Sequence, residues 1–103
     1  MALELTKEIF KTEAMEAEGK VLIDFWAPRC MPCRMLTPVI EELAKELDGR
    51  VKVCKVNVDE QPELAIKFSV MSIPMLVVME NGEVVAKEVG LMPKADIRKM
   101  LGE

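Results

Sequence analysis

Apolar and polar positions along the chain switch between a period near two and a period near 3.6, and the switches mark out its elements. Ala2–Leu5 reads as a weak first strand. Thr6 can then cap a helix in which Ile9, Phe10 and Ala14 recur at helical spacing, with Gly19 placed to end it. Val21–Ala27 is a short apolar run rich in β-branched and aromatic residues, the signature of a buried strand. Leu36, Val39, Ile40, Leu43 and Leu47 step by threes and fours while Glu41, Glu42, Lys45 and Glu46 fall elsewhere, so this is an amphipathic helix closed at Asp48-Gly49. Val51–Val58 alternates and predicts a strand, and Pro62–Phe68 suits a short helix with proline in its first turn. Met75–Met79 and Val84–Val89 are two more strands joined through Asn81-Gly82, a strong hairpin signal. Pro93–Leu101 predicts a closing helix with Ile97, Met100 and Leu101 inward.

Strands that first alternate with helices and then form a hairpin imply parallel pairing extended by an antiparallel edge. The expected architecture is α/β: a central mixed five-stranded sheet flanked by four helices, with the Val21 strand in the middle. The chain's 103 residues suit one domain, 1–103, and leave no room for two independent cores.

Composition narrows the chemistry. With 14 Lys+Arg against 18 Asp+Glu the net charge is -4 and no basic stripe exists, which argues against nucleic acid as a partner. The longest apolar runs fall far short of the ~20 residues a membrane span needs. An acidic start, Met1–Glu8, lacks the basic-then-apolar layout of a secretory leader, so the expectation is a cytoplasmic chain. There is no histidine, which excludes Ser-His-Asp and Cys-His catalysis and any His-ligated metal. Three cysteines in such a chain are too few for a disulfide framework, and thiol or carboxylate chemistry remains.

Cys30-Met31-Pro32-Cys33 lies between a buried strand and the start of the long helix, the strand-end position where open α/β sheets place their ligands. Two intervening residues in a first helical turn bring the two sulfurs within bonding distance, and the free N–H groups there favour a thiolate on the first cysteine. Pro32 has no intrahelical bond to lose at that position. Half of a structural zinc site is the competing reading, but it needs four ligands and Cys54 is the only other cysteine. Covalent haem attachment needs a histidine after the second cysteine, where Arg34 stands. Neither a metal nor a cofactor is expected.

Asp24-Phe25-Trp26-Ala27, the Cys-x-Pro-Cys, Pro38 within the helix, Asn57-Val58-Asp59, Ile73-Pro74, Asn81-Gly82-Glu83 and Gly90 occur in an order and spacing that resembles the thioredoxin family across essentially the whole chain. The resemblance implies the thioredoxin fold and a protein-disulfide reductase. Cys30 would attack a substrate disulfide and Cys33 would resolve the mixed disulfide, leaving Cys30 and Cys33 joined until a thioredoxin reductase recycles them. Asp24, a costly carboxylate inside an apolar strand, would lie under Cys33 with Lys55 as its partner and assist proton transfer. Trp26, Pro32, Ile73, Pro74, Gly90, Leu91 and Met92 would form the substrate surface, with a cis Ile73-Pro74 bond.

The chain departs from the family pattern beside the nucleophile. Arg29 replaces the usual tryptophan, Met31 the usual glycine and Arg34 the usual lysine. The Arg29 cation at ~7 Å would favour the thiolate and raise the redox potential by on the order of 10 to 25 mV. Of the nine methionines, Met15, Met35, Met79 and Met100 read as flexible core filler, whereas Met31, Met75 and Met92 are expected around the site as an adaptable docking surface. Cys54 reads as a small buried strand residue. Two other readings share the sequence: a disulfide oxidant or isomerase, and a binding module within an assembly. A monomer is the default expectation.

Overall fold

The computed structural model describes residues 1–103. Five strands, β1 (Leu3–Glu4), β2 (Lys20–Trp26), β3 (Val51–Asn57), β4 (Met75–Glu80) and β5 (Glu83–Val89), form one mixed sheet in the order β1-β3-β2-β4-β5. β1 and β2 run parallel to β3, β4 is antiparallel to β2, and β5 is antiparallel to β4. Three α-helices, α1 (Met31–Glu46), α2 (Pro62–Lys67) and α3 (Lys94–Met100), and a π-helical turn at Lys11–Met15 complete the fold. This is the mixed five-stranded α/β sheet expected from the element order, with β2 central, and it agrees with the thioredoxin fold that the resemblance implies.

Alternation along the strands divides the interior in two. Leu22, Leu76 and Val78 point to one face, where Leu36, Ile40, Leu43 and Leu47 of α1 and Ile97 of α3 cover them. Ile23, Phe25, Val77 and Met79 point to the other, against Phe10 and Ala14 of the π-turn and Leu64 and Phe68 at α2. β3 serves both cores, with Val51 and Val53 on the first and Cys54 and Val56 on the second. Its polar alternation arises because Lys52 and Lys55 are half-buried and reach outward to partners, Lys52 to Glu13 at 3.2 Å.

The hairpin forms as its sequence dictates. Asn81 and Gly82 both have positive φ, 53° and 82°, as a two-residue turn of matching twist requires. A Cβ at position 82 would also come within 3.0 Å of the Met15 carbonyl. β5 is an exposed edge, blunted by an irregularity opposite Val78/Met79 and by Glu83, Lys87 and Glu88.

The first helical segment differs from the reading at Thr6. Regular helix covers only Lys11–Met15, its N-terminal boundary is Phe10 without a side-chain cap, and Glu16 N–H bonds back five residues to the Lys11 carbonyl at 2.9 Å. Thr6 contributes a backbone carbonyl to Ile9 at 3.2 Å. Burial of Phe10 and Ala14 holds this segment against the sheet, and Gly19 serves the turn into β2 instead of stopping a helix.

Candidate active site

β2 and β3 end side by side at Trp26 and Asn57, and the chain leaves β2 through Ala27-Pro28-Arg29 to enter α1. Cys30 is the N-terminal boundary residue of α1, with extended backbone (φ -97°, ψ 112°) and its carbonyl accepting the first helical bond from Arg34 at 3.1 Å. Met31 and Pro32 occupy the next two positions, where no intrahelical N–H is needed, and both are exposed. Cys30 and Cys33 are joined as a disulfide, with Cα atoms 5.2 Å apart. The two sulfurs differ in access: Cys33 is fully buried, and Cys30 is partly exposed. Cys30 Sγ accepts the Cys33 backbone N–H at 3.2 Å, so the helix terminus is aimed at the sulfur that would carry negative charge on reduction.

The Ile73-Pro74 peptide bond is cis. The Ile73 carbonyl oxygen lies 3.8 Å from Cys30 Sγ. Pro74 is buried, and its carbonyl accepts the Gly90 N–H at 2.8 Å, tying the end of β5 to the proline loop. Gly90 has φ +106° and nothing near its missing Cβ, so backbone conformation alone calls for glycine there. Leu91 is exposed, and Met92 is half-buried against the core under α1 and α3.

Asp24 shares the α1-facing side of β2 with Trp26 and is 2% exposed. Its Oδ1 has no hydrogen-bond partner, nor does the buried Nε1 of Trp26. Burial pushes the Asp24 carboxyl up to about 7, against an opposing pull from the Lys55 charge. Lys55, the register partner of Asp24 on β3, exerts that pull without a direct ion pair. Lys55 lies within ion-pair distance of Glu41 at 3.7 Å and Glu4 at 3.9 Å, and its ammonium sits 5.6 Å from the Trp26 ring centroid.

Arg29, expected as a cation beside the nucleophile, is paired. Its Nε and Nη2 donate to both carboxylate oxygens of Asp59, at 3.1 and 3.0 Å. The Asn57 side-chain oxygen accepts the N–H groups of Asp59 and Glu60, at 3.0 and 3.3 Å, and this turn presents Asp59. The paired carboxylate offsets the field of Arg29 at Cys30, so the anticipated rise in potential shrinks. Arg29, Asp59, Ile66, Met71 and Ile73 border an open depression of about 350 Å³ beside the disulfide.

Two methionine assignments change. Met75 is 3% exposed and belongs to the core on the α2 side, because the parity of β4 turns it inward directly after Pro74. Met35 is 58% exposed on α1 and fills no core. Met79 is buried, and Met15 and Met100 are half-buried, as filler should be. Met31, at 62% exposure, does border the disulfide.

Asp59, Glu41 and Glu4 are the site residues that sequence reasoning did not assign. Asn57 ahead of Asp59 is a side-chain-stabilised turn signal that points to the first. No local signal marks the other two.

The thioredoxin family model matches residues 1–103. The chain is 47% identical to a thioredoxin of Rickettsia bellii over 94 residues, covering 91% of this chain and 90% of that one. It is 46% identical to a thioredoxin of Bacillus subtilis over 98 residues, 95% and 92% of the two chains. Thioredoxin 1 of a Nostoc species is 42% identical over 100 residues, 97% and 94%. A matching family model over every residue, similarity on this scale, and a cysteine pair at the N-terminus of α1 together place the chain in the thioredoxin family.

Proposed function

We propose that residues 1–103 act as one protein-disulfide reductase domain whose working groups are Cys30 and Cys33, and the observation that carries this is their unequal access within a single disulfide. In the reduced protein Cys30, partly exposed and receiving the Cys33 N–H, is the thiolate that attacks a substrate disulfide. A mixed disulfide forms and the first substrate sulfur leaves as thiolate. Cys33 then gives its proton to the buried Asp24 carboxylate and attacks Cys30 Sγ. The Cys30–Cys33 bond forms, the second substrate sulfur departs, and two electrons have passed to the substrate. A carboxyl titrating near 7 is matched to accepting and returning a proton at neutral pH.

The exposed Met31, Pro32 and Leu91, with the half-buried Trp26, Ile73, Gly90 and Met92, form the surface against which a protein substrate lies. Arg29 borders it as one half of a neutral pair. A thioredoxin reductase returns the pair to the dithiol, and the working form is a cytoplasmic monomer. No helix is long and apolar enough to cross a membrane.

The test is equilibration of the Cys30–Cys33 couple against a defined dithiol buffer, together with turnover of a protein disulfide by the native chain and by Cys30→Ser. Thioredoxins characteristically sit near about -270 mV, a family figure and not a deduction from this chain. A value near it, with turnover lost in Cys30→Ser, supports the reductase. A value of about -180 to -120 mV, the range of isomerases and oxidants, or turnover surviving in Cys30→Ser, overturns it.

A further inference from the structure

The parallel and antiparallel registers place four residues abreast across the sheet. Glu4 on β1 is the partner of Lys55 on β3, Lys55 is the partner of Asp24 on β2, and Asp24 is the partner of Leu76 on β4. Lys55 therefore stands between two carboxylates on adjacent strands, and a third, Glu41, reaches down to it from α1. The ammonium, with three donors on a flexible four-carbon stem, takes up only two of these carboxylates. It lies 3.9 Å from Glu4 and 3.7 Å from Glu41, with no ion pair to Asp24. Glu41 is itself anchored, because its Oε1 accepts the backbone N–H of Ala2 at 2.9 Å while Oε2 faces Lys55. The N-terminal segment, α1 and β1 thus converge on one cation.

We propose that Glu41 is a positioning residue for Asp24: with Glu4 it engages the Lys55 ammonium, which lies near the Trp26 ring and makes no ion pair with the Asp24 carboxylate. Asp24 then keeps its proton to higher pH than an adjacent cation would allow, which suits a group that must take up and release that proton. The surroundings of Asp24 leave few other candidates. β3 presents Lys55 beside Asp24, and Glu4 of β1 and Glu41 of α1 reach that Lys55 ammonium. β4 presents apolar Leu76, and α3 lends this core Ile97, while its Lys94 and Arg98 are engaged with Glu42 and Glu46. The inference rests on the proposed proton role of Asp24 only for its consequence, since the geometry concerns the position of Lys55.

The experiment follows the Asp24 carboxyl by carbon NMR titration in the oxidised full-length chain, where Cys33 does not titrate. Glu41→Gln should lower the Asp24 midpoint by ~0.5 pH unit or more, as Lys55 turns toward Asp24. Removing a negative charge also acts directly through space, in the same direction, so the variant is repeated in a Lys55→Met background. There the shift should fall to less than half its size. No shift in Glu41→Gln, or an equal shift with and without Lys55, overturns the proposal. If Lys55→Met fails to fold, Lys55→Gln replaces it in the same cycle. A shifted Asp24 midpoint with an unmoved pH profile of substrate turnover would leave the positioning role standing and remove the proton role.

Discussion

The guanidinium of Arg29 closes on the carboxylate of Asp59 through two parallel hydrogen bonds, from one loop of the site to the next. A cation beside the nucleophile is thereby delivered already neutralised. Asp59→Asn should unmask it, lowering the Cys30 thiol midpoint and raising the potential by on the order of 10 to 25 mV at low salt. Thiolate absorbance against pH and equilibration in a dithiol buffer read the two effects. Both should shrink as salt is added, and two unchanged values would show that the pair masks nothing.

Asp24 makes native stability depend on pH in a definite direction. Burial raises its carboxyl from an ordinary 3.8 to about 7, so between those values the folded chain binds a proton that the unfolded chain has released. Stability therefore falls as pH rises through this window, by at most on the order of 4 kcal/mol, and is level above it. Asp24→Asn should remove the slope, leaving the variant more stable than the native chain at pH 8, with the gain shrinking toward pH 4. Urea unfolding at several pH values checks this, and parallel slopes in the two proteins would contradict it. The same variant should release reduced substrate ~10-fold or more slowly.

Met31 and Met75 should separate binding from folding. Met31→Ala, on an exposed side chain, is expected to change stability by less than ~0.5 kcal/mol while raising KM for protein disulfides and leaving reactivity toward a small disulfide intact. Met75→Ala empties core volume and should cost about 2–5 kcal/mol in denaturant unfolding. Similar stability losses for both would contradict the assignment of the two side chains.

Cys54 is fully buried, and burial pushes its thiol up to about 12. In the reduced native protein an alkylating reagent should modify Cys30 and spare Cys54, which becomes reactive only in denaturant. Mass spectrometry of the labelled peptides decides the matter. Rapid native labelling of Cys54 would mean that β3 opens locally.

Legibility in the sequence followed the range of the interaction. The element order, the hairpin at Asn81-Gly82 and the placing of Cys30 and Cys33 at a helix start rest on neighbours a few residues apart, and all could be read directly. The cap at Thr6 was not realised because the apolar contacts of Phe10 and Ala14 outweigh a local preference. Met75 follows Pro74 in the chain, yet strand parity turns it away from the site that Pro74 helps to build. Lys55 as a neighbour of Asp24 follows only from the family resemblance, and Glu4 and Glu41 reach it through sheet register and helix packing. Distant partners of this kind leave no periodicity to detect.

The two interior clusters bear on how the site keeps its dimensions. The helix that begins at Cys30 is seated through Leu36 and Ile40 in one of them, while Ile73, which faces Cys30, packs against the other. The sheet between them acts as the frame of a calliper, with the disulfide on one jaw and the proline loop on the other. Loosening either core would leave each jaw intact but change the gap, so a substitution remote from both cysteines could detune the grip on a substrate without altering a single reacting group.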